Sequence, residues 1–154
     1  MRNHVWLIGL SWLVFGTPAA ADQVTPIRDS LTREACGECH MAFQPAFLPA
    51  RSWGRIMDTL SDHYGDRVSL KPEQAAHIRA VLEAGAADRT GGKVGRKVMA
   101  QVDPAGTPLR LTENPSFLHH HDFPARVWAR PEVKVKSNCP ACHQRAETGD
   151  YEED

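Results

Sequence analysis

The sequence predicts a helical region followed by a loop-rich one, and three observations carry that expectation. Apolar residues recur at helical spacing between Trp53 and Tyr64, a second helical pattern opens at Pro72, and glycine and proline crowd the chain from about Asp88 to Pro115. In the first pattern, "RSWGRIMDTLSDHYG", residues Trp53, Ile56, Met57, Leu60 and Tyr64 fall on one helix face. His63 lies at the edge of that face, toward its C-terminal end. The second pattern runs from Pro72 to about Ala87. Proline suits a first helical turn and Glu73 favours a helix start. Ala75, Ile78, Leu82 and Ala86 make its inward stripe, and His77 lies about 100° around the axis from Ile78, as a surface histidine. Beyond it, Gly91, Gly92, Gly95, Pro104, Gly106, Pro108 and Pro115 break any long regular element. That stretch reads as a wrapping loop or link, with a short extended piece in "LRLTENP".

The two ends of the chain bound its class. Arg2, the apolar run Val5 to Phe15 and the small residues Ala19-Ala20-Ala21 form the three zones of a secretory signal. The apolar run is shorter than the ~20 residues that span a bilayer, so cleavage before Asp22 and an exported, soluble mature protein are expected. The 154 residues carry 18 Lys plus Arg against 19 Asp plus Glu, which leaves no basic excess for nucleic acid. The terminal "YEED" is a short acidic tail of the kind that is usually solvated. Length allows one domain or two very small ones. With 7% aromatic residues, 11 Gly and 11 Pro, side-chain material for a core is limited. In such chains a disulfide, a metal or a bound group commonly substitutes for it.

The cysteines identify the substitute. The four of them fall in "CGECH" (Cys36, Cys39, His40) and "CPACH" (Cys139, Cys142, His143). Disulfides suit an exported chain, and paired C-x-x-C suits zinc. The pairs, however, lie about a hundred residues apart, far beyond the ~15–20 residue gap of a zinc ribbon. Neither alternative needs the histidine that follows the second cysteine both times. Covalent haem attachment does. Two thiols add across the two vinyl groups of one porphyrin, and the next residue, held under the iron, becomes its proximal ligand. Two such motifs predict two covalently bound haem c groups, on Cys36 and Cys39 and on Cys139 and Cys142, with His40 and His143 proximal.

The second axial position of each iron decides between electron transfer and small-ligand chemistry. Its candidates are His63, His77, His119, His120 and His121, with the sulfurs of Met41, Met57 and Met99. An apolar face beside a haem must pack on porphyrin, which favours His63; Met57 shares the face and is the rival. Arg126, Arg130, Lys134 and Lys136 make the approach to the second motif basic. Two readings stand for them: a solvated face, or partners of the haem propionates.

The run "CGECHMAFQPAFLPARSWGRIMDTLSDHYGD" resembles the N-terminal signature of the bacterial dihaem cytochrome c family (DHC). "HHDFPARVWARPEVKVKSNCPACHQRAETGDYEE" resembles its C-terminal one, and "LPARSW", "NCPACH" and the "AAD" after the second helix agree. The resemblance implies a mainly α fold: a small cytochrome c-like helical haem domain followed by a loop-rich C-terminal haem-binding region. The boundaries expected are 1–21 for the signal, 22–90 for the first haem region and 91–154 for the second. It further implies bis-histidine ligation. The family's "H-[YF]-G-D" histidine falls on His63, and that of its "H-x-[ED]-φ-P" segment falls on His120, leaving His119 and His121 as bystanders. Two saturated, low-spin irons imply an electron-transfer relay in the periplasm and not an enzyme. Its partners would be redox proteins: a membrane cytochrome b-type donor and a small oxygen-binding monohaem cytochrome. The rival expectations are a dihaem peroxidase-like enzyme or haem-based sensor with one open iron, and an exported zinc-binding or disulfide-stapled module.

Overall fold

The protein is described from a computed structural model that covers residues 23–152. The expected signal lies outside the described residues, as do the last two residues of the acidic tail. The first helix, α1 (Ser30–Gly37), begins where Asp29 accepts a hydrogen bond from the Thr32 backbone N–H at 2.8 Å. That bond satisfies one of the helix's orphan donors. A 3₁₀ turn at Pro45–Phe47 leads into α2 (Ala50–Asp58), and α3 (Pro72–Ala84) packs against both α1 and α2. Leu48, Trp53, Ile56, Met57, Ile78, Leu82 and Ala86 form the buried core between them. The Trp53 indole N–H is buried with them and donates to the Pro45 carbonyl at 2.8 Å, so the ring is buried without an unpaired donor.

Three sequence expectations change here. The helix carrying the Trp53 stripe stops at Asp58, because the chain tightens into a 3₁₀ turn at Leu60–Asp62. His63 therefore sits in a turn and not on a helix. The Gly- and Pro-rich stretch is not a plain loop: it contains α4 (Ala87–Thr90) and α5 (Lys93–Met99), separated by Gly91 and Gly92. Gly91 takes the left-handed conformation (φ 61°) that ends α4. Gly95 lies inside α5, where a Cβ would come within 2.9 Å of the Ala87 carbonyl oxygen, so its lack of a side chain lets α4 and α5 pack closely. The extended piece expected in "LRLTENP" is a 3₁₀ turn at Leu111–Glu113.

Two short helices, α6 (Pro115–His120) and α7 (Ala125–Trp128), and 3₁₀ turns at Cys139–Ala141 and Ala146–Thr148 complete the chain. Among the described residues the fold is helical without strands; the one isolated bridge pairs His63 with Asp66. No helix among them is long and apolar enough to cross a membrane. Asn114 ties α6 to α5: buried, it caps α6 through Ser116 N–H at 2.8 Å and donates to the Val98 carbonyl at 3.3 Å.

Near the C-terminus, Gly149 (φ 82°) accepts a hydrogen bond from Val24 N–H at 2.8 Å, and a Cβ there would collide with the Val24 carbonyl. Gly149→Ala should lower stability by roughly 1–3 kcal/mol, measured as a drop in thermal midpoint without loss of the α1–α3 helical signal. A second expectation concerns pH. Hydrogen bonds from Thr32, and then the His77 side chain, hold the Asp29 carboxyl down from 3.8 to about 2. A depressed carboxylate stabilises the fold above its unfolded value and loses that contribution as pH falls through the folded one. The advantage of the wild type over Asp29→Asn should thus be full above pH 3.8 and fade toward pH 2; a pH-independent difference would contradict it.

Candidate cofactor-binding site

Cys36 lies in the last turn of α1, and Cys39 and His40 follow just past its C-cap, Glu38. In the second motif Cys139 opens a 3₁₀ turn, and the backbone N–H groups of Cys142 and His143 fold back on its carbonyl at 3.1 and 2.8 Å. Asn138 braces that turn by donating to the carbonyls of Glu132 and Val133 at 3.0 and 3.1 Å. No disulfide joins the four cysteines; the first of each pair is part-buried and the second exposed. Burial pushes the Cys36 thiol up, and pushes Cys139 up to about 11. Redox dithiols need the opposite, a depressed nucleophilic thiolate. Among the described residues, no three His, Cys, Asp or Glu side chains converge as a metal cluster, so the two pairs do not combine into a four-thiolate zinc centre.

The histidines pair across the motifs instead. The His40 ring stacks on Phe43 at 4.8 Å between centres, and its Nδ1 donates to the Met41 carbonyl at 2.7 Å, leaving Nε2 as the ring's lone-pair nitrogen. The His63 ring lies 6.2 Å from it with planes 20° apart. Burial, and then the neighbouring His40, hold His63 below its usual range, which favours the neutral form that binds metals. A tight turn presents it: His63 and Asp66 exchange backbone hydrogen bonds of 2.7 and 3.2 Å across Tyr64 (φ 57°) and Gly65 (φ 102°). Positive φ is unfavourable for tyrosine, and the residue is held by contacts on both sides. Its hydroxyl donates to the Leu109 carbonyl, and the Arg110 guanidinium lies 4.4 Å from its ring centre.

At the second motif, the ring brought to His143 is His121, at 6.1 Å with planes 77° apart. The family resemblance points to His120 for this role; the end of α6 brings the neighbouring ring of His121 beside His143 instead. α6 stops at His120; His121 takes non-helical backbone angles (φ −121°, ψ 33°), which turn its ring back over Phe117 at 4.0 Å and 10°. Its Nδ1 donates to the Phe117 carbonyl at 2.9 Å. His120 remains exposed, with its ring edge-on to His119 at 5.4 Å. The signal that would have found His121 is its i, i+4 spacing from Phe117, an aromatic neighbour on the same helix face. On the other side, the His143 ring meets the edge of Tyr151 at 5.5 Å, and its Nδ1 faces the Glu152 carbonyl at 3.4 Å.

Two imidazoles that bind one metal from opposite sides, each at a metal–nitrogen distance of ~2 Å, put their ring centres ~6 Å apart. Both pairs meet that test. The other candidates lie elsewhere. Met57 is packed in the core with Trp53 and Ile56. His77 is a surface residue with its Nε2 2.8 Å from the Asp29 carboxylate. A cleft of about 320 Å³ opens beside His63, with Arg55, Ile56, Thr59, Tyr64 and Leu109 in its walls. A second, of about 500 Å³, lies before the second motif, with Leu118, Val135, Lys136 and Ser137 in its walls. Of the basic lead-in, Lys136 thus faces a cleft, whereas Arg130 pairs with Glu132 at 2.6 Å.

A family model described as dihaem cytochrome c matches residues 32–151. Among solved structures, a diheme cytochrome c from Rhodobacter sphaeroides is similar at 36% identity and a TM-score of 0.75, over 82% of this chain and 99% of that one. A DHC purified from the same organism is 37% identical with a TM-score of 0.68, over 81% and 98% of the two chains. A diheme cytochrome type c from Shewanella baltica is 32% identical with a TM-score of 0.65, over 80% and 86%. No curated protein sequence matches the chain.

Proposed function

Because the chain belongs to the dihaem cytochrome c family and carries two covalently bound c-type haems, we propose that it relays single electrons between other redox proteins. The chemistry supplied by each bound haem is one-electron cycling between ferric and ferrous iron. The chain's residues do the rest. Cys36 and Cys39 tether one group and Cys139 and Cys142 the other. His40 and His63 would hold the first iron, and His143 and His121 the second.

The observation that carries this reading is the pair of imidazole separations, 6.2 and 6.1 Å. With two strong ligands to each iron, no coordination position is left for substrate, which favours a carrier over an enzyme. Imidazole in place of a thioether also sets a lower reduction potential. Hydrogen bonds from Nδ1 to the carbonyls of Met41 and Phe117 fix the orientation of His40 and His121. Such outer partners hold a ligand ring in one tautomer and one plane. Little rearrangement then accompanies a change of iron charge. His121 takes the role that the family pattern gives to His120. The setting proposed is the periplasm. The exchange partners carried over from the family resemblance are a membrane cytochrome b-type donor and a small oxygen-binding monohaem cytochrome.

Carbon monoxide tests the ligand set. The dithionite-reduced wild type should give a sharp low-spin c-type spectrum that CO leaves unchanged. His63→Ala and His121→Ala should each make one haem CO-reactive, whereas His119→Ala and His120→Ala should not. CO binding by the wild type would put the peroxidase or sensor reading ahead, and opening by His120→Ala in place of His121→Ala would restore the sequence register.

A further inference from the structure

The two imidazole pairs differ in one respect that the family assignment leaves open. The planes of His40 and His63 are 20° apart, while those of His121 and His143 are 77° apart. The relative orientation of two axial imidazole planes governs the splitting of the iron d orbitals. Near-parallel and crossed pairs therefore give distinct low-spin ferric signals and are not electronically equivalent.

What holds the second pair crossed is traceable. His121 is locked parallel to Phe117 by its stack and by its Nδ1 hydrogen bond. His143 is held by the segment that follows it. The chain turns at Ala146–Thr148, passes through Gly149, and brings Tyr151 edge-on to the His143 ring and Glu152 O toward its Nδ1. Tyr151 is itself fixed twice. Its ring meets Phe47 at 5.3 Å with planes 80° apart, and its hydroxyl donates to Gln44 Oε1. Gln44 is fully buried, and its Nε2 donates to the carbonyls of Ala146 at 2.7 Å and Glu147 at 3.4 Å. The whole amide of Gln44, four residues beyond His40, is thus spent on the segment that orients His143.

We propose that Tyr151, anchored by its hydroxyl to Gln44, is the positioning residue that holds the His143 imidazole across the plane of His121 and so makes the two irons inequivalent. The inference rests on the ligand reading above. Tyr151→Phe keeps the aromatic packing against Phe47 and His143 but removes the anchoring bond. Gln44→Leu removes it from the other side.

Low-temperature electron paramagnetic resonance of the full ferric holoprotein tests this, alongside a redox titration. The wild type should show two low-spin signals of different anisotropy. Tyr151→Phe and Gln44→Leu should both move the signal and midpoint potential of the second haem while those of the first stay in place. Tyr64→Phe, which removes the other tyrosine's hydroxyl bond, should leave the second signal unmoved. Two identical signals in the wild type, or a second signal unmoved by Tyr151→Phe, would overturn the proposal. So would equal movement of both signals, the mark of general loosening. His143→Ala separates the two layers of inference. If it leaves the wild-type spectrum intact, the ligand reading fails; if it makes one haem high-spin while Tyr151→Phe changes nothing, only the positioning role fails.

Discussion

The amide of Gln44 is fully buried, and a buried amide without partners costs roughly 2–7 kcal/mol depending on the reference state. Its partners are the carbonyls of Ala146 and Glu147 and the hydroxyl of Tyr151, all more than a hundred residues further along the chain. The amide is therefore satisfied only when the second haem motif is docked on the first region. Beyond α6 the described chain buries few side chains: Val133 and Ala146 are its buried apolar residues. A region with so little apolar burial does not gain enough from it to offset the cost of ordering its backbone. The bound haem substitutes for part of that core, and among the chain's own contacts the joins to the first region lie at Gln44 and at Gly149 on Val24.

The sequence was informative where chemistry fixes spacing locally. The two C-x-x-C-H motifs were legible because two thiols, a porphyrin edge and the imidazole beneath the iron leave no freedom in the interval between them. The start of α3 at Pro72 was legible because a proline ring suits a first helical turn and nothing distant is needed to choose it. His63, favoured by its place beside the apolar face and by the family resemblance, lies five residues past the end of the helix placed under it. The stripe of Trp53, Ile56, Met57 and Leu60 continues inward through a 3₁₀ turn, so the periodicity alone did not reveal the change of helix type.

What was hidden depended on contacts from elsewhere. Gly91, Gly92 and Gly95 were read together as breakers, yet the first two lie between helices and the third permits close packing inside one. A glycine that ends a helix and one that lets two helices approach look the same until the neighbour is known. The histidine triplet was ambiguous for a related reason. Which of three adjacent rings turns inward depends on the residue at which α6 ends, and a shift of one residue turns a helical side chain by about 100°. The motif pattern points to His120, whereas the ring that the end of α6 brings beside His143 is that of His121.

In the proposed ligation the two pairs would run in opposite order along the chain, proximal then distal for His40 and His63, distal then proximal for His121 and His143, and each would close a loop of some twenty residues. Bringing the ends of a loop together carries an entropic cost that the intervening chain must offset. The same constraint acts on unequal material. The first loop contains α2, whose Trp53, Ile56 and Met57 lie in the core, so packing already brings its ends together. The second contains α7 and the basic lead-in, with Val133 as its buried apolar residue. Its ends are held by aromatic stacks, by Asn138 and by the Gln44 anchor. Ligand geometry at the first site is thus determined largely by a hydrophobic core, which resists small local changes. At the second it is determined by a few directional contacts, each of which sets an angle. A crossed pair of imidazoles is an arrangement that directional contacts are suited to specify and apolar packing alone is not.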